Sequence, residues 1–290
     1  MTQFIQLTAS GLANGAILAL AALGFVVIFK ATGVVNFAQG QFLLIGAYLI
    51  HQFTSGWGWH WTTAVPAAIV VAVLMGMAVE RLILRRLVGE SIISVIMVTI
   101  GLAGVLQAIV LGVWGPQQFR APAFIPRGTV SVLGASVAIN RVVAIAVAAV
   151  VFTAFAVFFR RSKQGIAMRA VADDQQAAMV QGISVNRIFA FSWGLAAATA
   201  VLGGMLLSQI LGVSLEIATF GVIVFPVVIL GGLDSIVGTV IGGVIVGLLG
   251  QYSAGYIGPG LQQVVPFVIL ILILLVKPYG LFGQVRIERV

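Results

Sequence analysis

The sequence predicts an all-α integral membrane protein: one polytopic helical bundle of about 8–10 membrane segments, some broken, with residues 1–290 as a single domain. Three observations predict it. First, 61% of the residues are hydrophobic and only 8% are charged. Second, the runs Phe4–Phe29, Ile92–Val113 and Ser235–Val276 carry no charge at all. A bilayer core of about 30 Å takes roughly 20 apolar residues per helix, so these runs are long enough to cross it. Third, the fifteen Lys and Arg fall into a few gaps between such runs.

Nine segments follow in order: 4–29, 33–50, 62–80, 92–113, 141–159, 187–212, 218–232, 236–254 and 262–276. The first lacks a basic stretch ahead of it and a small-residue cleavage site, so it reads as a retained helix. The second is short and carries the amides Asn36, Gln39 and Gln41 between Gly33 and Gly40. On a helix, Asn36, Gln39 and Gly40 share one face. An amide facing lipid is costly, so these face protein or a water-filled path; interhelical hydrogen bonding and pathway lining are both open. Ahead of the third segment stand Trp57, Trp59 and Trp61, suited to a membrane interface, flanked by His51 and His60. The seventh is interrupted by Pro226 and ends at Gly231–Gly232, after which Asp234 or Ser235 can cap the eighth. Asn14, Gln107 and Ser208 are single polar groups inside apolar runs and suit packing hydrogen bonds.

The two interrupted segments echo each other. Phe37 to Phe42 recurs in outline as Phe220 to Phe225, a match two residues deep. Paired short segments in the two halves of a chain point to a transport site. Phe37 and Phe220 therefore join Asn14, Asn36, Gln39 and Gln41 as pathway candidates.

The gap 160–186 is the most hydrophilic stretch. Asp173 or Asp174 can cap a helix of about two turns near 174–181, with Gln176 three residues after Asp173 as a loose capping box. Gly182 suits a left-handed C-terminal cap. Ala177, Ala178 and Met179 have no core of their own there. The segment suits docking to a soluble partner or lying on the membrane surface.

If every segment crosses and the N-terminus is outside, Lys30, Arg81, Arg85, Arg86, Arg160, Arg161, Lys163, Arg169, Arg187, Lys277, Arg286 and Arg289 fall inside. Only Arg120, Arg127 and Arg141 fall outside, and this bias sets orientation, with a cytoplasmic C-terminus. The net charge of +8 thus reflects topology and not nucleic-acid binding. No cysteine is present, which excludes disulfides and thiol nucleophiles, and seven acids with two histidines leave little for metal or acid–base chemistry. No phosphate-cradling Gly-x-x-x-x-Gly-Lys-Ser/Thr motif and no catalytic triad pattern appear, so neither nucleotide binding nor a membrane enzyme is expected. An ion-coupled carrier would need a charge at mid-membrane, and none stands out.

Several stretches together resemble the branched-chain amino acid ABC importer permeases of the LivH type. They are Gly11-Leu-Ala-Asn-Gly-Ala-Ile-Leu-Ala-Leu, Gly33-Val-Val-Asn-Phe-Ala-Gln-Gly-Gln-Phe, the gap from Gly165 to Ile183, Leu230-Gly-Gly-Leu-Asp-Ser-Ile-Val-Gly, and Leu275-Val-Lys-Pro-Tyr-Gly-Leu-Phe-Gly. The resemblance covers nearly the whole chain. It implies a bacterial or archaeal plasma (inner) membrane subunit that does no chemistry and holds no cofactor. ATP and Mg²⁺ would be bound by two partner ATPases docked on Arg169, Ala170, Asp173, Asp174, Ala177, Ala178, Met179 and Gly182. A second, LivM-type permease and a solute-binding protein would complete the importer. Leucine, isoleucine and valine are the implied solutes, with urea, short amides and aromatic acids as the alternatives within the family.

Overall fold

The computed structural model describes residues 2–283 except 123, 127 and 133. Arg127, Arg286 and Arg289 of the charge count lie outside the described residues. All nine expected segments are helices: α1 (Thr2–Thr32), α2 (Gln39–His51), α3 (Trp61–Leu82), α4 (Ile92–Trp114), α5 (Ile139–Arg161), then, after two short helices, α8 (Val185–Leu211), α9 (Phe220–Gly231), α10 (Ile236–Tyr256) and α11 (Leu261–Val276). The short helices α6 (Lys163–Asp173) and α7 (Gln175–Val180) fill the hydrophilic gap. Six helical stretches are long and apolar enough to cross a membrane; α2, α9 and α11 are the shorter three. Successive passes alternate between an end holding Trp57, Trp59, Trp61 and Trp114, called the tryptophan end, and an end holding most of the cations. At the tryptophan end, Trp114 donates to Gln52 at 2.8 Å, and Phe119 bridges to Val213. At the basic end, Lys30 Nζ donates to the Asp234 carbonyl at 3.4 Å.

Helix α1 lies at the centre. Nearly every residue from Ser10 to Ile28 is buried, so this helix has no polar face, as befits one packed on all sides. Small residues permit that packing. On α1, Gly11, Gly15 and Ala19 repeat every fourth residue and oppose Gly243 and Gly247 of α10. A Cβ at Gly15 would stand 2.5 Å from the Gly243 carbonyl oxygen. The other side of α10 does the same for α9, with Gly238 and Gly242 set against Gly231 and Val227. In lipid, where apolar burial drives little, such close backbone contact is the main source of association.

The C-terminal end of α9 is completed from far along the chain. The backbone N–H groups of Leu281 and Phe282 donate to the carbonyls of Leu230 and Gly231 at 2.8 and 3.1 Å. These are among the carbonyls that a helix cannot satisfy by itself.

Three features differ from the sequence reading. Segment 33–50 is helical only from Gln39. Gly33 adopts φ +71°, a left-handed conformation that ends α1, and the Asn36 side chain takes the Ala38 N–H at 3.0 Å, a local turn that competes with helix. Asn36 therefore precedes α2 and does not share its face with Gln39 and Gly40. The gap after α4 holds an antiparallel hairpin, β1 (Thr129–Val132) with β2 (Ala135–Ala138), where no element was expected. The hydrophilic gap holds two helices instead of one. Ser162 caps α6, accepting from Gly165 N at 2.9 Å. The cap of α7 is Asp174, accepting from Gln176 and Ala177 at 2.8 and 3.0 Å, while Asp173 ends α6 and forms no capping box.

The loop α6–α7 is also not without a core. Met168, Val171 and Ala178 join Leu23, Val27, Phe155, Phe159 and Ile188 in a second apolar cluster at the basic end. Gly182, at φ +80°, closes α7: its N–H donates to Met179 O at 2.9 Å and that of Ile183 to Ala178 O at 3.0 Å.

Candidate functional site

The two interrupted segments meet. The first turns of α2 and α9 cross at Gly40 and Gly221, backbone on backbone: a Cβ at Gly40 would lie 3.0 Å from Gly221 Cα. Around this crossing the rings of Phe37 and Phe225 lie 4.6 Å apart, and Phe225 meets Phe25 at 5.3 Å. The sequence echo thus corresponds to contact, although Phe37 pairs with the second phenylalanine of its counterpart and not with Phe220. Phe37 is 38% exposed, and Val222 on the same α9 turn as Phe225 is 55% exposed. The crossing therefore opens sideways to an apolar surface.

The amides lie inward of that opening. Asn36 and Gln39 are sealed, at 0% and 1% exposure. Asn36 Nδ2 donates to Gln39 Oε1 at 3.2 Å, and Gln39 Nε2 donates to the Ala21 carbonyl at 3.0 Å. The chain of bonds ties the non-helical lead into α2 onto the middle of α1. Gln41 Nε2 donates to Gln107 Oε1 on α4 at 3.3 Å, while its own Oε1 has no partner among the described residues.

Asn14 stands apart from these amides. It lines a cleft of about 320 Å³ at the tryptophan end, between α1, α9, α10 and α11, together with Phe220, Glu216, Gln262 and Gln263. Its Nδ2 donates to Gln251 Oε1 at 3.1 Å, and Gln262 reaches the same oxygen at 3.5 Å. Glu216 is exposed in the single turn Leu215–Thr219 ahead of α9. Phe220, as the first residue of α9, touches both the cleft and the turn that crosses α2. The glutamines lie inside the expected segments 236–254 and 262–276, and the sequence reading did not single them out. The adjacent pair Gln262–Gln263 at a segment start is the signal that could have found them.

At the basic end, Arg169, Asp173, Asp174, Ala177, Met179 and Gly182 are exposed and Ala170 is half-buried. Ala178 is 3% exposed and faces the second cluster, so it anchors α7 to the bundle. An ion pair lies close by that the sequence reading did not single out. Arg85 grips Glu80 through two bonds of 3.2 and 2.8 Å, and it also donates to the Asn186 carbonyl of α8 at 3.3 Å. Glu80 is 1% exposed. Their five-residue spacing across the end of α3 was the available sign.

The histidines are separate. The rings of His51 and Phe119 lie 4.5 Å apart at a tilt of 32°, while His60 caps α3 beside Thr62. Ser235, not Asp234, caps α10 by accepting from Gly238 N at 2.9 Å.

Comparison with known proteins agrees over nearly the full length. The family described as "Branched-chain amino acid transport system / permease component" matches residues 7–274. The high-affinity branched-chain amino acid transport system permease protein LivH of Escherichia coli K12 is 31% identical, over 99% of this chain and 98% of that protein. BraD of Pseudomonas aeruginosa, named as the same kind of permease, is 29% identical over the same shares. A probable LivH of Methanocaldococcus jannaschii is 28% identical over 92% of this chain and 89% of its own. Among solved structures, PsaBC from Streptococcus pneumoniae in complex with Fab superposes with a TM-score of 0.52 at 13% identity, covering 95% of this chain and 92% of that one, which shows a shared fold. The chain belongs to the branched-chain amino acid transport permease family and is a multi-pass plasma-membrane permease component of an ABC transporter.

Proposed function

We propose that this permease forms the membrane path of an ATP-driven importer for leucine, isoleucine and valine. The observation that carries the solute is the near-complete match to permeases named for branched-chain amino acids. ATPase and binding-protein partners belong to a transporter of this family. The basic end is cytoplasmic, which the distribution of Lys and Arg supports. ATPases dock there on the outer faces of α6 and α7, through Ala177, Met179 and the exposed Arg169. Because Ala178 and Met168 are embedded against α1, α5 and α8, movement of the docked helices passes directly into the spans.

A second permease of the LivM type packs on α4. Gly101, Gly104, Ala108 and Gly112 line an exposed face of that helix, and a Cβ at any of the three glycines would meet nothing within 4 Å among the described residues. Open small-residue stripes in lipid suit a neighbouring helix. The path runs beside this face, past Phe37 and Val222, where an aliphatic side chain finds apolar walls. Asn36 and Gln39 support that wall from behind. The binding protein delivers the solute at the tryptophan end, where Glu216 can meet its ammonium group.

The amides around Asn14 favour one second reading, in which the cleft receives urea or a short amide. The test is ATPase activity of the reconstituted complex in liposomes with its binding protein, loaded in turn with leucine, urea and acetamide. Stimulation by leucine alone supports the branched-chain reading. Stimulation by urea or acetamide alone replaces it.

A further inference from the structure

Between α5 and α10, at the basic end, runs a groove of about 480 Å³. Its walls are apolar, including Phe152, Ala156, Val240 and Ile241, and its mouth carries Arg160 and Arg161. Both arginines are exposed, and the ion pair seen among the described residues is Arg85 with Glu80 elsewhere. Ile236 and Val237, the first two residues of α10, line the same groove, and the first N–H groups of a helix have no intrahelical acceptor. Asp234, two residues ahead of α10, has its backbone carbonyl held by Lys30.

From these features we infer a binding site for an anionic phospholipid, with one acyl chain in the groove and the phosphate between Arg160, Arg161 and the start of α10. The groove opens sideways between two apolar spans, at the depth where helix α5 ends in its cations, so a ligand must be greasy below and negative above. Basic pockets between membrane helices on the cytoplasmic side take anionic headgroups, and helix starts favour phosphate. A volume of this size is within the range of small-molecule sites. A protein helix would fill the apolar part but would leave two guanidinium groups needing acids. The inference does not depend on the transported solute.

The experiment is native mass spectrometry of the assembled transporter in detergent, titrated with dioleoylphosphatidylglycerol and, separately, dioleoylphosphatidylcholine. The wild-type complex is expected to retain one phosphatidylglycerol per copy of this chain, with no matching phosphatidylcholine adduct. Each cation near an anionic lipid surface is worth about a factor of five, so R160Q/R161Q, a surface change that leaves the bundle intact, weakens retention by about thirtyfold. Ala156→Trp blocks the acyl chain and abolishes the adduct in a complex of unchanged composition. Equal retention of the two lipids, or adducts indifferent to both variants, would overturn the site. Loss of a protein subunit on Ala156→Trp would assign the groove to that subunit and overturn it equally.

Discussion

Asn36→Leu removes the side chain that starts α2, and the cost follows from its two hydrogen bonds. Oδ1 accepts the Ala38 N–H, and Nδ2 donates to Gln39 Oε1. Both partners are buried, with Ala38 at 0% and Gln39 at 1% exposure, so neither can turn to water. An orphaned buried group costs about 1–3 kcal/mol, which gives roughly 2–6 kcal/mol for the two. Interhelical bonds in membranes average only about 0.6 kcal/mol, because separated helices find other partners. That discount does not rescue the variant: in separated helices residues 33–38 can wind into helix and satisfy Ala38, whereas the packed bundle forbids it. We expect a loss of about 3 kcal/mol, the lower part of the range. Gln41→Leu is the matched control. It deletes an amide whose Oε1 has no partner among the described residues and whose one side-chain bond there is 3.3 Å long, so its change should stay within about 1 kcal/mol. Equilibrium unfolding by SDS in mixed micelles, followed by helical circular dichroism, measures both. Equal destabilisation by the two leucines would show that the turn at Asn36 does not hold α2 in place, and Asn36→Ser, which keeps an acceptor for Ala38, should recover about half of the loss.

Gly15→Val would place branched carbon against the Gly243 backbone and should cost at least the 1–3 kcal/mol typical of overpacking, read by the same unfolding assay; a neutral result would mean that α1 and α10 can separate freely. Arg85→Ala leaves the buried Glu80 carboxylate alone and should cost about 3 kcal/mol, with Glu80→Gln/Arg85→Ala recovering most of it; no recovery would place the role of Arg85 in its bond to Asn186. Ala177→Trp should abolish co-purification of the ATPase while leaving the unfolding midpoint unchanged, since Ala177 is exposed; intact co-purification would exclude the outer face of α7 as the dock.

The spans were legible because a bilayer imposes one strong condition, length of apolar run, which six helical stretches meet and three shorter apolar ones approach, with gaps that hold the charges. The capped short helix at 175–180 was legible too, since Asp174 and Gly182 act locally. What escaped was the choice between competing local structures and the placements decided by tertiary contact. An Asn can lie on a helix or unwind it through its own side chain, and the helical option placed Asn36 on the wrong side of the α2 boundary. Ser162, the cap of α6, stands between Arg161 and Lys163, and a serine among cations is equally suited to a solvated loop. Asn14 and Phe220 share a cleft although they are over two hundred positions apart, a proximity set by glycine contacts between α1, α10 and α9. The groove at Arg160 and Arg161 was invisible because its second wall belongs to α10.

The far closure of α9 has a consequence for how the protein is made. The chain enters the membrane from its N-terminus, so α9 is inserted while Leu281 and Phe282 are still unsynthesised. Until they emerge, the carbonyls of Leu230 and Gly231 lack those donors. The end of α9 is thus completed only after α10 and α11 have been made, and a product truncated at Val276 would carry α1 to α11 yet leave α9 open. Because the donors are main-chain groups, the tail should tolerate many substitutions at Leu281 and Phe282 but not proline, which has no N–H to give.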